Sequence, residues 1–120
     1  MQNQNNRATG DKFEKIAIKH LKENNYDIVK TNFHFGKHGE IDIIAEKNDV
    51  LIFVEVKGRK NSKYGSSIES ITNSKRFKFR KSVEGYLHIN KIQDKPVRLD
   101  FIGIDYINGE QQITHLENAL

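Results

Sequence analysis

The stretch "GEIDIIAEKNDVLIFVEVKGR", residues 39–59, decides the architecture. Two runs within it, Glu40–Lys47 and Val50–Lys57, carry apolar side chains on both faces, the mark of central strands covered on each side. Only Asn48-Asp49 separates them. A two-residue turn there makes a hairpin in which paired residue numbers sum to 97. Asp42 then faces Glu55, with Cβ atoms about 5 Å apart. Lys57, two residues beyond Glu55, points to the same face. Like charges directly opposite each other destabilise a sheet, and burying an unpaired charge adds to the cost.

Lys57 alone neutralises one carboxylate, whereas a divalent cation satisfies both. A hard divalent cation, Mg²⁺ or Mn²⁺, takes carboxylate oxygens while keeping waters and substrate oxygens. Such a site activates a water and stabilises charge on a phosphodiester, with Lys57 orienting the water or holding the scissile phosphate. Alternatively Glu40, whose number also sums with 57 to 97, forms an ion pair with Lys57 and makes that lysine structural.

Outward from the hairpin, Thr9 is a candidate cap for a helix running to about Asn24. Phe13, Ile16, Ala17 and Leu21 form its apolar side, with Glu14 beside the stripe. The Asn/Gln-rich residues 1–7 ahead of it are expected to form a disordered tail. A strand is predicted over Tyr26–Phe35, with Val29, Thr31, Phe33 and Phe35 alternating. A second helix is predicted over Asn73–Asn90, with Phe79, Val83, Tyr86 and Leu87 on one side. Strands are predicted over Val97–Ile107 and, after the "NGE" turn, over Gln112–Leu116. The order α-β-β-β-α-β-β implies a single α/β domain over residues 1–120, a mixed sheet flanked by helices.

The chain has 120 residues, a net charge of +4 and no cysteine. Disulfides and thiolate metal sites are excluded, and a reducing, cytoplasmic location is expected. No apolar run reaches membrane-spanning length. Charge is unevenly spread. Residues 57–81 hold nine Lys or Arg and one acid, Glu69, a local balance of +8 against −4 elsewhere. That asymmetry favours an anionic partner, nucleic acid being the commonest. Arg59, Lys60 and Lys63 in the loop, with Lys75, Arg76 and Lys78 at the start of the second helix, are candidate backbone contacts. Lys75, after Ser74 at the helix start, is placed to bind a phosphate. His34, His38 and His115 fit no recognised zinc spacing. There is no Gly-rich phosphate loop and no Ser/His/Asp triad.

The quoted stretch resembles the GEID…FVEVK signature of the YraN-type small bacterial proteins, an uncharacterised family. These are similar to the restriction-endonuclease-like, PD-(D/E)xK, superfamily and within it to archaeal Holliday junction resolvases. "TGDKFE", "YGSSIESITNSKRFKF", "VRLDFIGID" and "HLENAL" extend the resemblance over residues 8–120, with Leu99 departing from the usual Phe. The likeness implies a restriction-endonuclease-like core. It also implies that Glu14, Asp42, Glu55 and Lys57 match the superfamily's E…D…E-x-K site, Glu14 serving as a third carboxylate.

The resulting expectation is a metal-dependent DNA endonuclease acting on branched DNA, a substrate whose two-fold character suits a homodimer. The alternatives are a nucleic-acid-binding module that keeps the nuclease fold without cutting, and a scaffold whose charges are only a solvated face. Nothing in the sequence separates DNA from RNA.

Overall fold

The computed structural model describes residues 2–37, 39–61, 63 and 65–120, with side chains described from Gly10 onward. The elements are α1 (Gln2–Glu23), β1 (Asp27–Phe35), β2 (Gly39–Lys47), β3 (Val50–Arg59), a 3-10 turn (Ile68–Ser70), α2 (Asn73–Ile89), β4 (Val97–Ile107) and β5 (Glu110–Leu116). They form one five-stranded sheet in the order β1-β2-β3-β4-β5. Only β3 and β4 run parallel. A parallel pair needs a long crossover, and α2 supplies it. This is the expected mixed α/β architecture in the expected order.

The hairpin register is the predicted one. Ile43 pairs with Val54, Ala45 with Ile52 and Lys47 with Val50, each summing to 97. Asn48 and Asp49 both take positive φ, 52° and 65°. That is the type I′ turn whose twist matches the strands, and Asn and Asp tolerate it better than most residues.

Burial on both faces follows from the alternation. Ile52 and Val54 pack toward α1 with Phe13, Ala17 and Leu21. Leu51 and Phe53 pack toward α2 with Phe79, Val83 and Tyr86. α2 begins at a true cap, the Thr72 hydroxyl accepting the Lys75 amide at 3.1 Å.

Three local expectations are corrected. The backbone is helical from Gln2, so Thr9 lies inside α1 instead of capping it. Nothing ahead of Thr9 is a proline, and Ala8 favours the helix, so no residue forces a later start. In β1 the register shifts between Ile28 and Lys30, which leaves Val29 exposed and turns Ile28 inward. A bulge of this kind moves a strand's apolar set by one residue. β5 begins at Glu110, two residues early, because Asn108 and Gly109 form a second tight turn at φ 52° and 80°.

A close approach of α1 to the sheet bears on the site. A Cβ on Gly58 would fall on the ring carbons of Phe13. Gly58 follows Lys57 directly, so the Phe13 ring rests on bare backbone beside the E-x-K motif and carries the adjacent Glu14 there. Gly58→Ala is expected to lower stability by about 1–3 kcal/mol, the usual cost of overpacking. Urea denaturation would read it, and an unchanged midpoint would refute the close approach.

Candidate active site

The β2–β3 ladder stops at Ile43–Val54. In a hairpin closed by a two-residue turn the hydrogen-bonded pairs recur at every second position. The next would therefore give the Val56 amide to Ile41. Instead the Val56 N–H donates to Asp42 Oδ2 at 2.8 Å. The side-chain alternation breaks at the same place. Ile41 and Ile44 both pack on the α2 side, whereas Ile43 and Ala45 pack toward α1. Asp42 and Glu55 thus lie just past the last formed pair, not in a directly paired position.

Two hollows open beside them. One, of about 530 Å³, is lined by Glu14, Asn32, Glu40, Asp42 and Lys57 together with Phe13 and Gly58. The other, of about 250 Å³, is lined by Asp42, Glu55, Lys57, Ser70 and Lys75 among others. Asp42 and Lys57 border both. The structure therefore gathers Glu14, Asp42, Glu55 and Lys57 around adjoining hollows, Glu14 in the first and Glu55 in the second. Among the described residues no three His, Asp or Glu side chains converge closely enough to form a ready metal-ligand group.

The electrostatics are those of acids kept short of counter-charge. Burial, opposed by the Val56 hydrogen bond and aided by Glu40, Glu55 and Glu14, pushes the Asp42 carboxyl up to about 7. Burial raises Glu55 too, against the pull of Lys75 and then Lys57. Glu14 is raised chiefly by burial, and Asn32 Nδ2, donating to Glu14 Oε1 at 3.1 Å, opposes the shift. Lys57 is lowered, first by burial and next by Lys75 and Arg59. Each shift favours the neutral form, the signature of charges waiting for a partner. Oδ1 of Asp42 and both oxygens of Glu55 make no hydrogen bond or ion pair among the described residues. Oxygen donors of that kind suit a hard cation such as Mg²⁺ or Mn²⁺.

The predicted rival pairing does not form. Glu40 pairs with His34 across β1 and β2, Oε2 to Nε2 at 3.4 Å, and not with Lys57. β2 loses its β3 partner before reaching Glu40, which therefore answers its β1 neighbour.

The basic residues divide. Lys75 reaches the hollow that holds Glu55 and is its principal counter-charge. Lys60, Lys63 and Lys78 are exposed and line neither hollow. Arg76 is half-buried and also stands outside both. Arg59 packs its guanidinium stem inward, leaving Nε buried without a hydrogen bond.

Sequence reasoning passed over two polar groups. Asn32 sits at φ 54° in β1 and turns its amide to Glu14. Its signal was an Asn within an otherwise alternating strand. Asp100, fully buried, accepts from Arg98 Nη2 at 2.8 Å and from the Asn118 amide at 2.9 Å, and bonds His115 Nε2 at 2.8 Å. His115 thus belongs to a structural network. His34 belongs to Glu40, and His38 lies outside the described residues.

The Asp42 shift has a definite pH consequence. A carboxyl at 3.8 in the unfolded chain and about 7 in the folded one is held protonated by folding between those values. Its contribution is therefore favourable at low pH and is lost as pH rises through about 7. Asp42→Asn keeps an acceptor for the Val56 amide and removes the charge. It is expected to stabilise the metal-free protein by about 1–3 kcal/mol at pH 8 and hardly at all near pH 4. Thermal unfolding at the two pH values measures this, and an equal effect at both would refute it.

Comparison with known proteins places the chain in a family. The profile of the "Uncharacterised protein family UPF0102" matches residues 13–104. A UPF0102 protein of Acetivibrio thermocellus is 43% identical over 100 residues, covering 83% of this chain and 77% of its own. One from Clostridioides difficile is 39% identical over 115 residues, covering 96% and 98%. One from Legionella pneumophila strain Philadelphia 1 is 41% identical over 107 residues, covering 88% of each. The span of the match includes Glu14, the hairpin, Lys75 and Asp100, so the chain belongs to the uncharacterised protein family UPF0102, the family of the YraN-type proteins whose motifs it carries.

Proposed function

We propose that this protein is a metal-dependent endonuclease that hydrolyses phosphodiester bonds in DNA, with branched DNA such as a Holliday junction as its substrate. The observation that carries the reading is the pair Asp42 and Glu55. Both are partly buried, both are pushed toward protonation, and both line one hollow with Lys57 and Lys75. Asp42 and Glu55, with Glu14 from the adjoining hollow, would hold Mg²⁺ or Mn²⁺. When bound, such a cation supplies Lewis-acid stabilisation of the charge developing on the phosphate. Lys57, with no ion pair among the described residues, is free to orient the attacking water or to face the phosphate oxygens. Lys75 receives the phosphate from the α2 end. The basic surface from Arg59 to Lys81 holds the flanking backbone. Among the described residues no helix is long and apolar enough to cross a membrane. A cytoplasmic protein acting as a homodimer on a two-fold junction completes the proposal.

A second reading is favoured by one observation, the lack of a converged three-ligand group among the described residues. It is a module that binds structured DNA or RNA on the same basic face and does not cut.

A panel of linear, flapped and four-way DNA, with matching RNA, separates the two. Under the first reading Mg²⁺ or Mn²⁺ permits cleavage, chelator stops it, and Asp42→Ala, Glu55→Gln or Lys57→Ala reduces it by about 10²-fold or more. Under the second, binding survives those substitutions and no product appears. Metal binding has its own readout. Mg²⁺ is expected to raise the unfolding temperature of the wild type at pH 8 and to leave Asp42→Ala unmoved. Identical shifts in both proteins would remove Asp42 from the metal site.

A further inference from the structure

α2 places two phenylalanines two residues apart, Phe79 and Phe77, and gives them opposite fates. Phe79 is 3% exposed in the core. Phe77 stands about 200° around the helix from it and so cannot share that core. It is 61% exposed, the most open of the large apolar residues among those described. Its surroundings are largely cationic, with Glu84 pairing with Lys81 at 3.6 Å as the nearby acid. From Asn73 to Lys81 the helix carries Lys75, Arg76, Lys78, Arg80 and Lys81 and no acid. Lys81 Nζ lies 5.4 Å from the centroid of the Phe77 ring.

We propose that Phe77 is a stacking platform for an unpaired nucleobase, so that this face recognises nucleic acid where base stacking is interrupted. The inference deepens the nuclease reading and rests on the same basic face. Charge selects the partner. A second copy brought to this helix would set one basic segment against another, whereas a nucleic acid strand brings phosphates. Ring chemistry selects the state of that strand. In continuous duplex the base faces are covered by their neighbours, and a protein aromatic reaches one only where a base is splayed out. Stacking on an aromatic side chain accepts any base, so it reads structure rather than sequence. Position links the platform to the chemistry. Lys75, which lines the hollow with Glu55, lies two residues earlier, about 3 Å along the helix axis. A strand held at Lys75 reaches the outer side of α2 by passing around the first turn, where Phe77 meets it. Discrimination for single-stranded arms, flaps and junctions over intact duplex follows.

The test is binding in chelator, so that cleavage plays no role. Wild type, Phe77→Ala and Phe77→Trp are titrated by fluorescence anisotropy against a labelled single strand, a four-way junction with unpaired arms and a blunt duplex. Phe77→Ala is expected to weaken single-strand and junction binding roughly 5- to 100-fold, the range for loss of one stacked base. Duplex binding should change less than about twofold, since phosphate contacts persist, and Phe77→Trp should retain wild-type affinity. 2-Aminopurine in the single strand should be quenched by wild type and not by Phe77→Ala. Equal weakening on all three substrates, no weakening on any, or no binding by wild type overturns the proposal. So does a dimer that dissociates on Phe77→Ala with single-strand affinity unchanged. Phe77-dependent binding by a protein that never cleaves would sink the nuclease reading alone. Cleavage with binding indifferent to Phe77 would sink the stacking platform alone.

Discussion

The hydrogen bond from the Val56 amide to the Asp42 carboxylate is the constraint from which the site follows. A hairpin that continued its ladder would give that amide to Ile41 and close the space between β2 and β3. With Asp42 as acceptor the strands diverge immediately beyond Ile43–Val54. The divergence makes room for the hollows that Asp42 lines. The same bond favours the ionised form, yet burial outweighs it. A carboxylate is thus fixed in direction and left with one unsatisfied oxygen, the state in which a cation gains most from arriving.

The other groups reach the site by separate routes. Glu14 comes with α1, whose position depends on Phe13 lying against Gly58. Glu55 and Lys57 come from β3 itself. Lys75 comes from the first turn of α2, fixed by the Thr72 cap and by Phe79 below it. Ser67, held by Asp105 through both its amide at 2.8 Å and its hydroxyl, anchors the loop that leads into that helix. At the opposite end of β4 the Arg98–Asp100–His115 network joins β4 to β5. Its carboxylate has every partner that Asp42 lacks, and its acidity is raised rather than lowered. Two buried acids in one sheet thus differ by their neighbours, and only the poorly partnered one faces an open hollow.

Much of this was legible in order along the chain. The apolar pattern on both faces identified the central strands, and the two residues Asn48-Asp49 were enough for the register. Both signals are local, set by side-chain period and turn chemistry. The departures arose where non-local contacts outcompete local ones. The bulge at Val29 answers β2, not the alternation within β1. Glu40 took His34 because its β3 neighbour had already diverged. Asn32 acquires meaning from a residue 18 positions away, and Asp100 from His115 and Asn118, 15 and 18 positions away, as well as from Arg98.

By itself the sequence determined the hairpin, the order of elements, the concentration of positive charge after Lys57 and the four residues of the candidate site. Those properties reside in neighbouring residues and in matches to a known motif. Only the tertiary structure decided that Asp42 would divert a ladder amide, that Lys57 would lack Glu40 as a partner, and that Lys75 would share a hollow with Glu55. Each depends on how far two strands run together and on which helix end abuts the point where they diverge. That is a balance of packing and desolvation over the whole sheet, and no short stretch of chain contains it.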